Sequence, residues 1–135
     1  MNWEPLLAAA IAARHHSHSP YSRFAVGAAL ETEDGAIFGG ANVENRSFGV
    51  TLCAERSAFA AAVSAGHRRF RGVAVVTDSS PPGPPCGLCR ETMTEFCQPE
   101  MPILLANPQG ERRLTTLGAL FPEPFRFQPE ETSAR

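Results

Sequence analysis

No stretch of this sequence approaches the run of about 18 apolar residues that a membrane-spanning helix requires. No basic segment followed by an apolar core and a cleavage site opens it either, so the reading predicts a soluble, cytoplasmic protein without a secretory leader. Clustered positive charge is also scarce. Formal net charge is −2, and the one basic run is "HRRFR" at 67–71. Phosphate surfaces are bound by grouped Lys and Arg, so nucleic acid is not expected as a partner. Internal repeats and linkers are missing too, which argues against an array or a multidomain chain. What is present is a globular composition: 135 residues, 43% hydrophobic and 19% charged, enough for one domain with one core. That domain is expected over 1–127, with the polar stretch "QPEETSAR" at 128–135 as a flexible tail.

Four cysteines could form two disulfides, but a chain of this size with no leader has little need of them. Two of the four stand as Cys86-Gly87-Leu88-Cys89, a spacing that suits metal or redox chemistry better.

Helix formers in "WEPLLAAAIAARHH", with Pro5 near the start, predict a first helix. "FAVGAALETEDGAIFGGANVEN" holds two β-like runs around Glu33-Asp34-Gly35 and reads as a hairpin. Residues 51 to about 66 form the clearest helix, with Thr51 as N-cap and Gly66 as C-cap. "GVAVVTD" at 72–78 reads as a strand covered on both faces. A second helix is expected from 87 to about 97, then a strand in "MPILLANPQG" and a short helix in "TTLGALFPEPF" ending at Pro122. Strands alternating with helices after a hairpin predict a mixed sheet with helices on both faces.

Cys53, in "VTLCAERSAF", and the pair Cys86 and Cys89, in "PPCGLCRETMTEF", each open a predicted helix. Unpaired N–H groups and the helix dipole favour thiolates there. Three thiolates hold zinc while leaving one tetrahedral position open, as in catalytic rather than structural sites. Cys97 lies eight residues past Cys89, about 12 Å along a helix axis, too far to be a fourth ligand. It reads as a small buried hydrophobe. His15, His16 and His18 sit at a helix end and read as solvent-facing.

Glu55, two residues beyond Cys53, can lean over the open position and accept a proton from water. A carboxylate favouring a helix N-terminus would be the plainer reading of Glu55 alone. Beside the C-x-x-C pair, the catalytic reading prevails. Three thiolates on Zn²⁺ leave a charge of −1, which weakens its acidifying power. Arg56 and Arg90, each one residue past a ligand cysteine, can donate hydrogen bonds to the sulfurs and withdraw that charge.

The pattern Cys53-Ala54-Glu55 followed by Pro85-Cys86-Gly87-Leu88-Cys89 resembles the zinc-dependent cytidine deaminases of the small homotetrameric type. "YSRFAVGAAL", "NVEN", "CAER" and "LFPEPF" fall in that family's order and spacing, over about residues 20–125. The resemblance implies an α/β fold, a three-layer αβα sandwich around a five-stranded mixed sheet. It implies hydrolysis of cytidine and deoxycytidine to uridine and deoxyuridine plus ammonia. It also implies that Phe24 packs against the nucleoside, that Asn42 and Glu44 hold the ribose 3′-hydroxyl, and that the Ala54 backbone lies against the pyrimidine. Phe125 resembles an aromatic that a neighbouring subunit lends to the base. Arg46 and Phe48 depart from the family's usual small residue and tyrosine, positions that in the family lie near the 5′ end of the sugar in a neighbouring site, which opens the question of 5′ recognition. A deaminase of a modified cytosine nucleoside such as blasticidin S is the alternative, disfavoured by the "NVEN" clamp. A structural zinc module, a redox C-x-x-C protein and a polynucleotide editor leave Glu55, Cys53 or the charge balance unexplained.

Overall fold

A computed structural model of the protein describes residues 1–127; the tail expected at 128–135 lies outside the described residues. Helix α1 spans Glu4–Arg14 with Pro5 in its first turn, as its composition predicts. Strands β1 (Gly27–Thr32) and β2 (Ile37–Ala41) form the hairpin, and Gly35 takes φ +94°, a value that L side chains rarely adopt. Helix α2 spans Ala54–Ser64, β3 Phe70–Val76 and α3 Gly87–Phe96. Strands β4 (Pro102–Ala106) and β5 (Arg112–Thr116) and the short helix α4 (Leu117–Leu120) complete the chain. The sheet order is β2-β1-β3-β4-β5, with β3 and β4 parallel and every other pair antiparallel.

The sheet's two faces are separated by single-residue alternation. Ala28, Leu30, Val73, Val75, Ile103 and Leu105 face α2 and α3 in one apolar cluster. Ala29, Ala74, Val76, Leu104 and Ala106 face α1 in the other. Helices on both faces give the expected αβα sandwich. On the α2 side the packing is close: a Cβ at Gly40 would sit 2.4 Å from the Ala58 nitrogen and 2.7 Å from the Ala54 oxygen. Glycine on β2 is therefore what lets the first turns of α2 lie against the sheet. The middle of α2 and the end of α3 are joined by stacking of Phe59 on Phe96, with centroids 6.0 Å apart, and Phe70 meets both rings edge-on.

Two expectations need correction. Helix α2 does not start at Thr51: a 3-10 turn over Phe48–Val50 ends there, with the Thr51 N–H donating to the Phe48 carbonyl and the Thr51 hydroxyl accepting from the Asn45 N–H. The chain then extends through Leu52, which bridges Val43, and Cys53 becomes the N-cap. Gly66 does terminate the helix, at φ +101° just past the Ala65 cap. The His67 N–H reaches the Ala62 carbonyl and the Gly66 N–H reaches Val63. Strand β5 has no counterpart among the elements expected from the residues alone. No helix among the described residues is long and apolar enough to cross a membrane.

Candidate active site

Two helix starts build the site. Cys53 caps α2 and Cys86 caps α3, both with extended backbone and neither with its side chain spent on a capping hydrogen bond. Their sulfurs are thus free of the work an N-cap usually does. The Sγ atoms of Cys53, Cys86 and Cys89 lie within 4.8 Å of one another, a grouping that could hold a metal ion. Cys86 Sγ is 3.6 Å from each of the other two. Cys97 caps the far end of α3 and is not in the group; burial pushes its thiol up to about 12, as for an inert apolar filler.

Charge at the site is uneven. The Cys53 thiol is pushed down to about 5, first by a hydrogen bond from Cys89 and then by Arg56 and Cys86. Cys89 moves the other way, because it holds its proton in a hydrogen bond to Cys53 and is buried. Glu55, in the first turn of α2, is 5% exposed, and burial holds its carboxyl above the ordinary glutamate value. Arg56 Nη2 lies 3.6 Å from Cys53 Sγ and 3.1 Å from the Thr51 carbonyl.

Arg90 is placed differently. Its guanidinium donates to the carbonyls of Pro85 (2.8 Å) and Leu120 (2.6 Å), tying the start of α3 to the end of α4. The sulfur hydrogen bond expected of it goes to backbone oxygen instead.

The residues expected to meet substrate lie on several elements. Ala54 is fully buried, and Phe24 is exposed on the loop before β1. Asn42 is buried with its Nδ2 donating to the Phe24 carbonyl (2.8 Å) and its Oδ1 accepting from the Val26 N–H (2.9 Å) and the Ser17 hydroxyl. Glu44 Oε1 accepts from the N–H groups of Tyr21 (3.0 Å) and Ser22 (3.1 Å), and Oε2 from the Ser22 hydroxyl. Its carboxyl is held below the ordinary value, chiefly by that hydroxyl. A cleft of about 370 Å³ is lined by Tyr21, Ser22, Glu44, Phe48 and Thr51, with Phe48 edge-on to Tyr21 at 6.0 Å. Arg46 is exposed on the loop after Glu44. Phe125 is 78% exposed and, with Arg126 and Phe127, lines a surface hollow beside Glu91, Thr94 and Glu95 of α3. Ser17 and Ser22 carried no expectation from the sequence, and Thr51 was expected only as a helix cap. Serine and threonine are so common in loops and caps that nothing in "SHSPYS" marks one hydroxyl above another.

A family model described as the cytidine and deoxycytidylate deaminase zinc-binding region matches residues 2–105. A cytidine deaminase of Sporosarcina psychrophila is 47% identical over 125 residues, covering 93% of this chain and 92% of that protein. One from Halalkalibacterium halodurans is 46% identical over 125 residues, covering 93% and 95%. The crystal structure of cytidine deaminase from Burkholderia pseudomallei superposes with a TM-score of 0.89 at 46% identity, covering 93% of this chain and 100% of that one.

Proposed function

Since the chain belongs to the cytidine and deoxycytidylate deaminase zinc-binding family, we propose that it hydrolyses cytidine and deoxycytidine to uridine and deoxyuridine, releasing ammonia. The observation that carries this reading is the convergence of three cysteine sulfurs within 4.8 Å next to the buried Glu55.

The donor set suits zinc. Three soft sulfurs, one polarised by an arginine, match its preference for thiolate, and they are one ligand short of a closed structural site. Cys53, Cys86 and Cys89 would hold it. When bound, zinc supplies the Lewis acidity that makes a water nucleophilic near neutral pH. Arg56 offsets thiolate charge at Cys53, so that the three sulfurs do not cancel that acidity. Glu55 takes the proton of the attacking water, passes it to N3 of the cytosine, and later helps protonate the amine that leaves C4. Its burial suits a group that must both hold and release a proton.

Asn42 and Glu44 hold the sugar 3′-hydroxyl, Phe24 packs against the nucleoside, and the Ala54 backbone lies along the pyrimidine. Arg46 and Phe48 serve the 5′ side of the sugar in a neighbouring site, where Phe48 has no hydroxyl to offer. The catalytic domain is read as residues 1–127. The active assembly is a homotetramer in which Phe125 serves a neighbour's site; its exposure on the α3 flank, away from any role in its own chain's core, supports this. Four free thiols suit the reducing cytoplasm.

The test is incubation of zinc-loaded protein with cytidine, deoxycytidine and blasticidin S while following absorbance. Loss of absorbance with the first two and stoichiometric ammonia are expected. No turnover of either nucleoside, with blasticidin S consumed, would overturn the assignment.

A further inference from the structure

The hydrogen bonds around Asn42 and Glu44 can be counted atom by atom. An asparagine side chain has two acceptor lone pairs and two N–H donors; a carboxylate accepts about two bonds per oxygen. Asn42 Oδ1 receives the Val26 N–H at 2.9 Å and the Ser17 hydroxyl, so its acceptor capacity is full. One Nδ2 hydrogen goes to the Phe24 carbonyl at 2.8 Å. Glu44 Oε1 is filled by the N–H groups of Tyr21 and Ser22, and Oε2 has received the Ser22 hydroxyl. Among the described residues this leaves one donor on Asn42 and one acceptor on Glu44. A single alcohol satisfies both, by accepting from one and donating to the other.

Ser17 decides half of that count. Its backbone N–H still bonds the Arg14 carbonyl at the end of α1, and the His18 N–H bonds the Asn42 carbonyl at 3.0 Å. Those bonds fix where the serine stands relative to Asn42. Its hydroxyl has one proton, and Asn42 Oδ1, at the short contact, is a nearer acceptor for it than Ser19 Oγ at 3.0 Å or the Asn42 carbonyl at 3.5 Å. A hydroxyl that donates to an amide oxygen polarises the amide, which strengthens the free N–H of Asn42.

We propose that Ser17 is a positioning residue for sugar recognition: by filling Asn42 Oδ1 it makes the amide a pure donor towards the substrate's sugar hydroxyl. The inference rests on the sugar-clamp reading of Asn42 and Glu44 given above. Without Ser17, Oδ1 regains an acceptor site that water or a neighbouring hydroxyl can fill, and the remaining N–H is less polarised. Binding of the hydroxyl weakens while the chemistry at C4, governed by Glu55 and the cysteines, is untouched.

The experiment compares deoxycytidine with 2′,3′-dideoxycytidine, which differ only in the 3′-hydroxyl, using the zinc-loaded wild type, Ser17→Ala and Ser17→Thr. A hydrogen bond of ordinary net strength corresponds to about fivefold in binding. Ser17→Ala should therefore lower the wild-type preference for deoxycytidine about fivefold, through a higher KM with kcat held. Its kcat/KM for dideoxycytidine should stay within about twofold of wild type, and Ser17→Thr should recover the preference. The dideoxy substrate thus reports folding and chemistry in the same preparation. Equal losses on both substrates would reduce Ser17 to a structural residue and overturn the proposal, as would no change on either. A wild type that turns over both substrates equally would remove the clamp itself and the proposal with it, leaving the deaminase assignment standing. A wild type that turns over neither would fail the assignment first.

Discussion

Glu55 is a carboxylate in the first turn of a helix, where the dipole favours its ionised form, yet burial outweighs that and raises its pKa. The conflict suits a proton carrier and is of no use to a structural residue. Glu55→Gln should keep fold and zinc content while kcat falls by at least about 10⁴-fold, the upper end for general acid–base work and fitting for a residue that moves more than one proton. Kinetics and metal analysis of the same sample decide it, and a variant within tenfold of wild type would remove Glu55 from the mechanism. At this scale the cysteine grouping was legible, because Cys53 set ahead of a Cys86-x-x-Cys89 pair has few other uses. Arg90 was not. Its position after a ligand cysteine matches that of Arg56, but Arg56 lies beside Cys53 while Arg90 turns to the carbonyls of Pro85 and Leu120. Which unpaired oxygens a guanidinium finds depends on chain segments that local sequence cannot place.

Among the elements, the contact of β2 with α2 carries the most functional weight, because Cys53 caps that helix and Glu55 lies in its first turn. Gly40 leaves no room for a Cβ against the helix backbone, so Gly40→Ala must displace either helix or strand. A stability loss of about 1–3 kcal/mol is expected, the usual range for overpacking. It should appear as a lower Tm together with reduced zinc occupancy, whereas Cys97→Ser, at the other end of α3, should leave zinc occupancy unchanged. Wild-type melting and zinc content in the glycine variant would mean that the helix is seated by other contacts. The hairpin, β3 and β4 were readable because their apolar residues and turn glycines are local signals. Strand β5 was not: "RRLTT" lies at the sheet edge, with its first three residues exposed, and is recruited by pairing with β4 rather than by an apolar pattern. The start of α2 was misplaced because a Thr before an alanine-rich run is a good cap, and the 3-10 turn that claims Thr51 leaves little trace in the sequence.

For the whole molecule, the decisive matter is whether a site is complete within one chain. If Phe125 is lent to a neighbour, Glu55→Gln and Phe125→Ala damage different parts of a shared site. Co-refolding the two weak variants should then regenerate sites that have both Glu55 and a partner's Phe125, and activity should rise well above the sum of the separate proteins. Strict additivity, or an active monomer in sedimentation, would put Phe125 outside the mechanism. Topology adds a separate consequence. Cys53 and Cys86 are 33 residues apart, on opposite sides of the α2–β3 segment. An ion held by both therefore acts as a crosslink that ties off this loop and shrinks the entropy of the unfolded chain. By the chain-entropy relation for disulfides, a loop of that size is worth about 4 kcal/mol, an upper figure for a bond that can exchange. Chelation should thus do more than silence the enzyme: it should open the stretch 77–86 to a protease at rates the loaded protein resists. The metal would then be a fastener that holds the chain closed as well as a reagent.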